Sequence, residues 1–428
     1  MKLPRLVILL ALALAGAAVS SADASAAPGF FGNHHHQSER QRQRKLENQR
    51  ERQHQRELER QHQRELERQR ERQHQHESVV VGQAYVNDNT AASNTVAGFD
   101  RHADGSLTPI PGSPFPTGGV GSGAGLASQG AIQLSSDGRY LLTVDAASNQ
   151  ISVLRLGSGG VPQPVGAPVS SGGSDPVSIA VSGDLVYVAN AGASEPNVTG
   201  FSLSPSGALY PLPSSTVSLP AGSGPDDVLF DPTGHKLIVP LVNTSAIASF
   251  HVRFDGRLAV APGSPFVAQG PGPFGSEFRP TNPSQLFVSN AHGGEGNGTV
   301  SAFNVSFSGE LTSIGSSPFA DLQTAPCWVE ISHDGQFLFT VNTGSGEISS
   351  YSIGLDGSLV LIGSTPFGSA GAGAVDARLS PDGRTLLVNG SQANVIASFA
   401  VNGGNLTELP SSPTPLPAGA VASGIVVD

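Results

Sequence analysis

APCWVEISHDGQFLFTVNTGSGEISSYSIGLDGSLVLIGSTPF, residues Ala325 to Phe367, holds four short apolar runs separated by turn signals. The runs are Cys327 to Ile331, Phe337 to Val341, Ile348 to Ile353 and Leu359 to Ile362. Between them stand His333-Asp334-Gly335, Asn342-Thr343-Gly344 and Leu355-Asp356-Gly357. Short alternating runs rich in Val, Ile and Phe read as strands, and Asp-Gly supplies the positive φ of a tight hairpin. Four hairpin-linked strands make one small antiparallel sheet, which cannot bury both of its faces alone.

Working outward, the unit repeats. A Gly-x-Leu signature with a Ser-Pro-Phe-like end recurs at Gly105, Gly207, Gly256, Gly309, Gly357 and Gly404, with a looser copy at Gly160. The spacing is roughly fifty residues, that of a propeller blade. Second strands end alike, at Asn87, Asp145, Asn190, Asn290 and Asn342; Leu241 breaks the pattern in the fourth copy. Repeated four-stranded sheets bury their faces against neighbours and close radially. The expected fold is all-β, a seven-bladed β-propeller spanning residues 78–428. The first copy opens on its second strand, Gln83 to Asn87, and Val421 to Asp428 reads as an inner strand with nothing after it. The C-terminal strand is therefore expected to complete the first blade.

Residues 1–26 read as a secretory signal: Lys2 and Arg5, an apolar run from Leu6 to Ala18, then Ala24-Ser25-Ala26. That run is too short for a membrane span, so an exported, extracytoplasmic protein is expected. Residues 27–77 form a low-complexity arm, and its segment Glu39 to Glu77 holds twelve Lys/Arg and nine Glu. Its apolar side chains, Leu46, Leu58 and Leu66, do not sustain a heptad. A solvated single helix or a disordered arm is expected. The arm is net positive in a chain of net charge −11, so the propeller is strongly acidic. The arm suits an anionic envelope polymer or serves as a solvating spacer, and an acidic exported domain is a poor partner for nucleic acid. Cys327 is the sole cysteine, which excludes an internal disulfide. A monomer is expected.

Propeller chemistry sits where inner strands converge on the channel. Aligned on the turns that follow them, the inner strands place Gln133, Ala180, Leu229, Glu277, Glu330, Arg378 and Val426 at one level. Asp226, Asp227, Asp376 and Arg279 add charge on or beside these strands, and Trp328 starts one of them. Charged side chains there are costly unless paired or wet. Two readings follow. One is a channel site in which Glu330 activates water and Arg378 polarises a carbonyl oxygen, with Gln133, Asp226, Glu277, Trp328 and Asp376 contacting the substrate. The other is a ring of ion pairs that ties neighbouring blades together.

The turns Ser380-Pro381-Asp382-Gly383-Arg384 and His333-Asp334-Gly335-Gln336, the Val188-Ala189-Asn190 strand end and Asp356-Gly357-Ser358-Leu359 resemble those of the seven-bladed lactonase family. That family includes carboxymuconate cyclases and the propeller type of 6-phosphogluconolactonase. The resemblance covers residues 78–428 and implies opening or closing of a small lactone or sugar-like ring in the channel, with no metal and no other cofactor. It carries Glu330 over as acid/base and Arg378 as oxyanion partner. Family inner strands often start Pro-His, whereas Val177, Asp226, Phe274 and Cys327 stand at that place here, and no inner strand carries a histidine. With nine basic residues in the propeller, a phosphosugar is disfavoured. A binding or scaffold propeller of the cell envelope or extracellular matrix is the alternative.

Overall fold

The computed structural model describes residues 33–77, 79–367 and 373–428; the leader expected at residues 1–26 lies outside them. The chain divides into two compact units at Gln73 and His74. In the first, one helix runs Asn33–Glu77, as a stretch of Arg, Gln and Glu free of Gly and Pro favours. Leu46, Leu58 and Leu66 are 58%, 50% and 42% exposed, so they form no buried seam. Among the described residues no helix is long and apolar enough to cross a membrane.

The second unit is the seven-bladed propeller, each blade an antiparallel sheet, and in blades 2 to 7 the strands follow chain order from the inner strand outward. Blade 6 consists of Pro326–Ile331, Phe337–Asn342, Glu347–Ile353 and Leu359–Pro366, the four runs read from the sequence. Blade 1 is assembled from both chain ends. Its inner strand is Ser423–Val427, paired with Val80–Asn87 through Tyr85 opposite Val426 and Val86 opposite Ile425. Ile425 is wholly buried in an apolar cluster with Val86, Phe99 and Leu387, so closing the ring also fills the seam between blades 7 and 1.

The recurring signatures have physical reasons. The Asn or Asp at or next to the end of every second strand except that of blade 4 is buried, and in two blades it bonds the blade beside it. Asn87 Nδ2 donates to Val144 O at 3.0 Å in blade 2, and Asn389 Nδ2 to Gly424 O at 3.0 Å in blade 1. The Ser-Pro step interrupts the outer strand, and the serine Oγ then accepts a third-strand N–H that the broken strand cannot. Gly98 N donates to Ser113 Oγ, Ser249 N to Ser264 Oγ and Ala302 N to Ser317 Oγ. Blade 6 has Thr365 before its proline, and its outer strand runs unbroken through Pro366.

Two inner strands are shorter than their sequence suggests. Blade 2 pairs only over Ile132–Leu134 and blade 4 only over Leu229–Phe230. Gly130 has φ +81° and Gln129 N donates to Asp226 O at 3.0 Å. The backbone at these places is thus turned toward the axis instead of a second strand.

Candidate active site

An inner strand is a sheet edge, and its unpaired N–H groups need acceptors. Here the side chain of one blade serves the backbone of the next. Val228 N donates to Ser178 Oγ at 3.1 Å, and Ser276 N to Asp227 Oδ2 at 3.1 Å. The next blade cannot follow suit, because its residue at that position is Gly275. A Cβ there would sit 2.5 Å from Cys327 O, so no side chain fits. The acceptor is Gln129 Oε1 instead, which takes Val329 N–H at 3.2 Å.

Gln129 belongs to residues 128–130, a segment that crosses the axis. Ser128 Oγ donates to Val177 O at 2.8 Å, Trp328 Nε1 to Ser128 O at 3.0 Å, Gln129 Nε2 to Ser276 O at 3.1 Å and Gly130 N to Asp376 Oδ2 at 3.3 Å. These bonds join blades 3, 5, 6 and 7 at one hub. Above it opens a cavity of about 310 Å³. Gln133, Asp227, Ser276, Glu277 and Arg378 border it together with Gln129, and Phe230, Pro232 and Pro280 form its apolar rim.

Of the residues expected from the sequence, the structure brings Gln133, Glu277 and Arg378 to this cavity. Arg378 Nη1 donates to Glu330 Oε2 at 3.1 Å, and Leu379 N to Glu330 Oε1 at 2.8 Å. Both Glu330 oxygens are therefore engaged, and Glu330, 4% exposed, does not border the cavity. Trp328 packs edge-on to Phe274, ring centroids 5.4 Å apart, on the hub side. Asp376 accepts from Gly130 and from Ala377 N. Asp226 is buried with both carboxyl oxygens unpartnered. Arg279 is tied to Gly335 O and Gly354 O, both at 2.8 Å, and braces blades 5 and 6.

The electrostatics follow from four buried carboxyl groups packed around Glu277 and Arg378, which are half-buried. Burial, then the charge of Glu330, raises Glu277 well above the ordinary carboxyl range. Burial raises Glu330 too, but the Arg378 charge and the Leu379 N–H oppose that rise, so Glu277 is the carboxyl pushed further toward its protonated form. Its Oε2 has no partner, nor has Arg378 Nε. Burial also raises Asp227 to about 7 and Asp376 to about 6, despite the hydrogen bonds that favour their ionised forms. Asp226 is raised well above its ordinary value by burial and by Asp227. Burial alone would depress Arg378, but the surrounding carboxylates hold it firmly protonated.

A larger hollow of about 650 Å³ lies on the outer rim near His235, His251, Phe254 and Phe307. It gathers no comparable set of buried ionisable groups, so the axial cavity is the candidate site. Among the described residues, no group of three or more His, Cys, Asp or Glu is placed to hold a metal ion.

Residues 276–365, which carry Glu277 and Glu330, match the family described as lactonase, 7-bladed beta-propeller. Over that stretch the chain is similar to the lactonase propellers. Solved structures extend the likeness across the ring. A Bacteroides uniformis protein provisionally assigned as a 6-phosphogluconolactonase has TM-score 0.67 and 19% identity, covering 81% of this chain and 99% of its own. The periplasmic gluconolactonase of Pseudomonas aeruginosa has TM-score 0.65 and 18% identity, covering 81% and 98%. A Lactobacillus plantarum protein has TM-score 0.64 and 19% identity, covering 81% and 99%. At such identities these structures share the seven-bladed fold with this chain. No curated protein sequence matches it.

Proposed function

We propose that this propeller opens a neutral, unphosphorylated lactone by attack of water in the axial cavity. The observation that carries the reading is one cavity bordered by a carboxyl whose pKa burial raises, Glu277, and a guanidinium, Arg378, each with an unpartnered polar atom. Arg378 stabilises the oxyanion that forms at the carbonyl as water adds. Asp227, whose proton is lost near neutrality, takes the proton of the attacking water. Glu277 gives its proton to the ring oxygen as the acyl C–O bond breaks, and solvent returns the proton from Asp227 to Glu277. Lactone and water become one hydroxy acid, with no other reactant. Glu330, given the acid/base role from sequence, here orients Arg378.

The charge around the cavity supports a neutral substrate. Arg378 is the one cationic side chain among the described residues bordering it, and Glu330 already engages it. A phosphate would meet several carboxyl groups and a single guanidinium whose charge Glu330 already balances. The test is hydrolysis of a panel of neutral and phosphorylated lactones by the mature chain, with and without a chelator. Chelator-insensitive turnover of neutral lactones that disappears in Glu277→Gln supports the reading. No turnover above buffer would favour a binding propeller.

The leader-like residues 1–26 support work outside the cytoplasm, tested by the N-terminal mass of the secreted protein. The net-positive arm suits an anionic envelope polymer, tested by salt-sensitive retention on isolated envelopes with and without residues 27–77.

A further inference from the structure

The axial cavity is floored in part by a residue that comes from no inner strand. Gln129 is 6% exposed and borders the cavity. Its amide stands where the side chain of Gly275 would be in a regular blade; a Cβ on Gly275 would lie 2.2 Å from Gln129 Oε1. The amide is held on both sides, donating to Ser276 O at 3.1 Å and accepting from Val329 N at 3.2 Å. Its backbone is fixed to Asp226 O. A floor tied to three blades does not swing aside at thermal cost. A cavity of about 310 Å³ stands at the lower end of small-molecule sites, about 300–1,000 Å³, and has room for one sugar-sized ring.

We propose that Gln129 is the specificity-determining residue of the cavity, limiting its ligand to a single lactone ring and excluding a lactone that carries a second sugar. The proposal rests on the lactone reading for its choice of ligand, but its test does not need turnover. Cyclic amides resist hydrolysis and keep the shape of the lactones. Gluconolactam supplies one ring and cellobionolactam two.

Binding of both probes is measured by calorimetry on the full chain and on two matched variants. Gln129→Glu keeps the length and the acceptor toward Val329, so the floor stays. Gln129→Ser loses the same amide donations and also withdraws the floor. Trp328, the sole tryptophan, bonds Ser128 beside the floor, and its emission reports whether the hub is intact. Expected is a preference for one ring of at least about tenfold in the parent and in Gln129→Glu, reduced or abolished in Gln129→Ser. Should Gln129→Ser not fold, Gln129→Asn retracts the amide by one methylene and should weaken the preference in the same direction. Equal affinity of the parent for both probes, no binding of either, or one size ratio shared by all folded variants overturns the assignment. The expected pattern without turnover of the corresponding lactones would sink the ring-opening reading and leave the size limit standing.

Discussion

Arg378 of blade 7 donates to Glu330 of blade 6 across the seam between them, Nη1 to Oε2 at 3.1 Å. The same Glu330 accepts the Leu379 N–H, so one carboxylate fixes both the guanidinium and the backbone of the next blade. The contact ties blade 6 to blade 7 and also belongs to the candidate site, because Arg378 borders the cavity and Glu330 does not.

Breaking this contact should cost stability first. Glu330→Ala leaves a guanidinium 24% exposed beside three other carboxyl groups and an amide without its acceptor. A loss of about 3 kcal/mol is expected, read from urea denaturation. Glu330→Gln keeps the shape and should cost less. Parent-like unfolding of Glu330→Ala would show the pair to be without structural weight.

Ring closure depends on Ser423–Val427 as the inner strand of blade 1. Ile425→Ala, at a fully buried position, should cost about 2–5 kcal/mol. Deleting the residues after Gly419 should lower Tm sharply. A truncated chain that melts with the parent would rule out the closure.

Asp227 makes stability depend on pH with a definite sign. Its pKa rises from 3.8 unfolded to about 7 folded, so the native state binds the extra proton. That contribution is fully present below pH 4 and is lost as pH rises toward 7. Asp376, raised to about 6, acts in the same direction. Urea midpoints at pH 4, 5.5 and 7.5 should therefore fall less steeply in Asp227→Asn than in the parent. Superimposable pH profiles would refute the assignment.

Residues 27–77 fall largely in a unit of their own. Their removal should leave the main thermal transition of the propeller unchanged within the error of a scan. A clear drop in Tm would mean that the propeller draws stability from the arm.

The fold was legible because local signals repeat. Asp356-Gly357 fixes one hairpin, and the same signature with Gly105, Gly207, Gly256 and Gly309 fixes the ring. Glu277 and Arg378 were legible as charges at one level of the inner strands. Their division of labour was not, since alignment places Glu277 and Glu330 alike and only the contact to Arg378 separates them. Gln129 escaped because it lies just before the aligned inner-strand segment that carries Gln133. One signal was present: Gly275 is a gap in a column where Ser178 and Asp227 supply acceptors. Such a gap requires an acceptor from elsewhere, but sequence alone does not say from where.

The most direct test of the site is kcat/KM for a neutral aldonolactone in the parent, Glu277→Gln and Glu330→Gln, each checked for folding by Trp328 emission. Expected is a loss of about 10²–10⁴-fold in kcat/KM for Glu277→Gln with its fold intact, while Glu330→Gln loses stability along with part of its activity. Full activity in Glu277→Gln, with activity abolished in a stable Glu330→Gln, would contradict this assignment and return the acid/base role to Glu330.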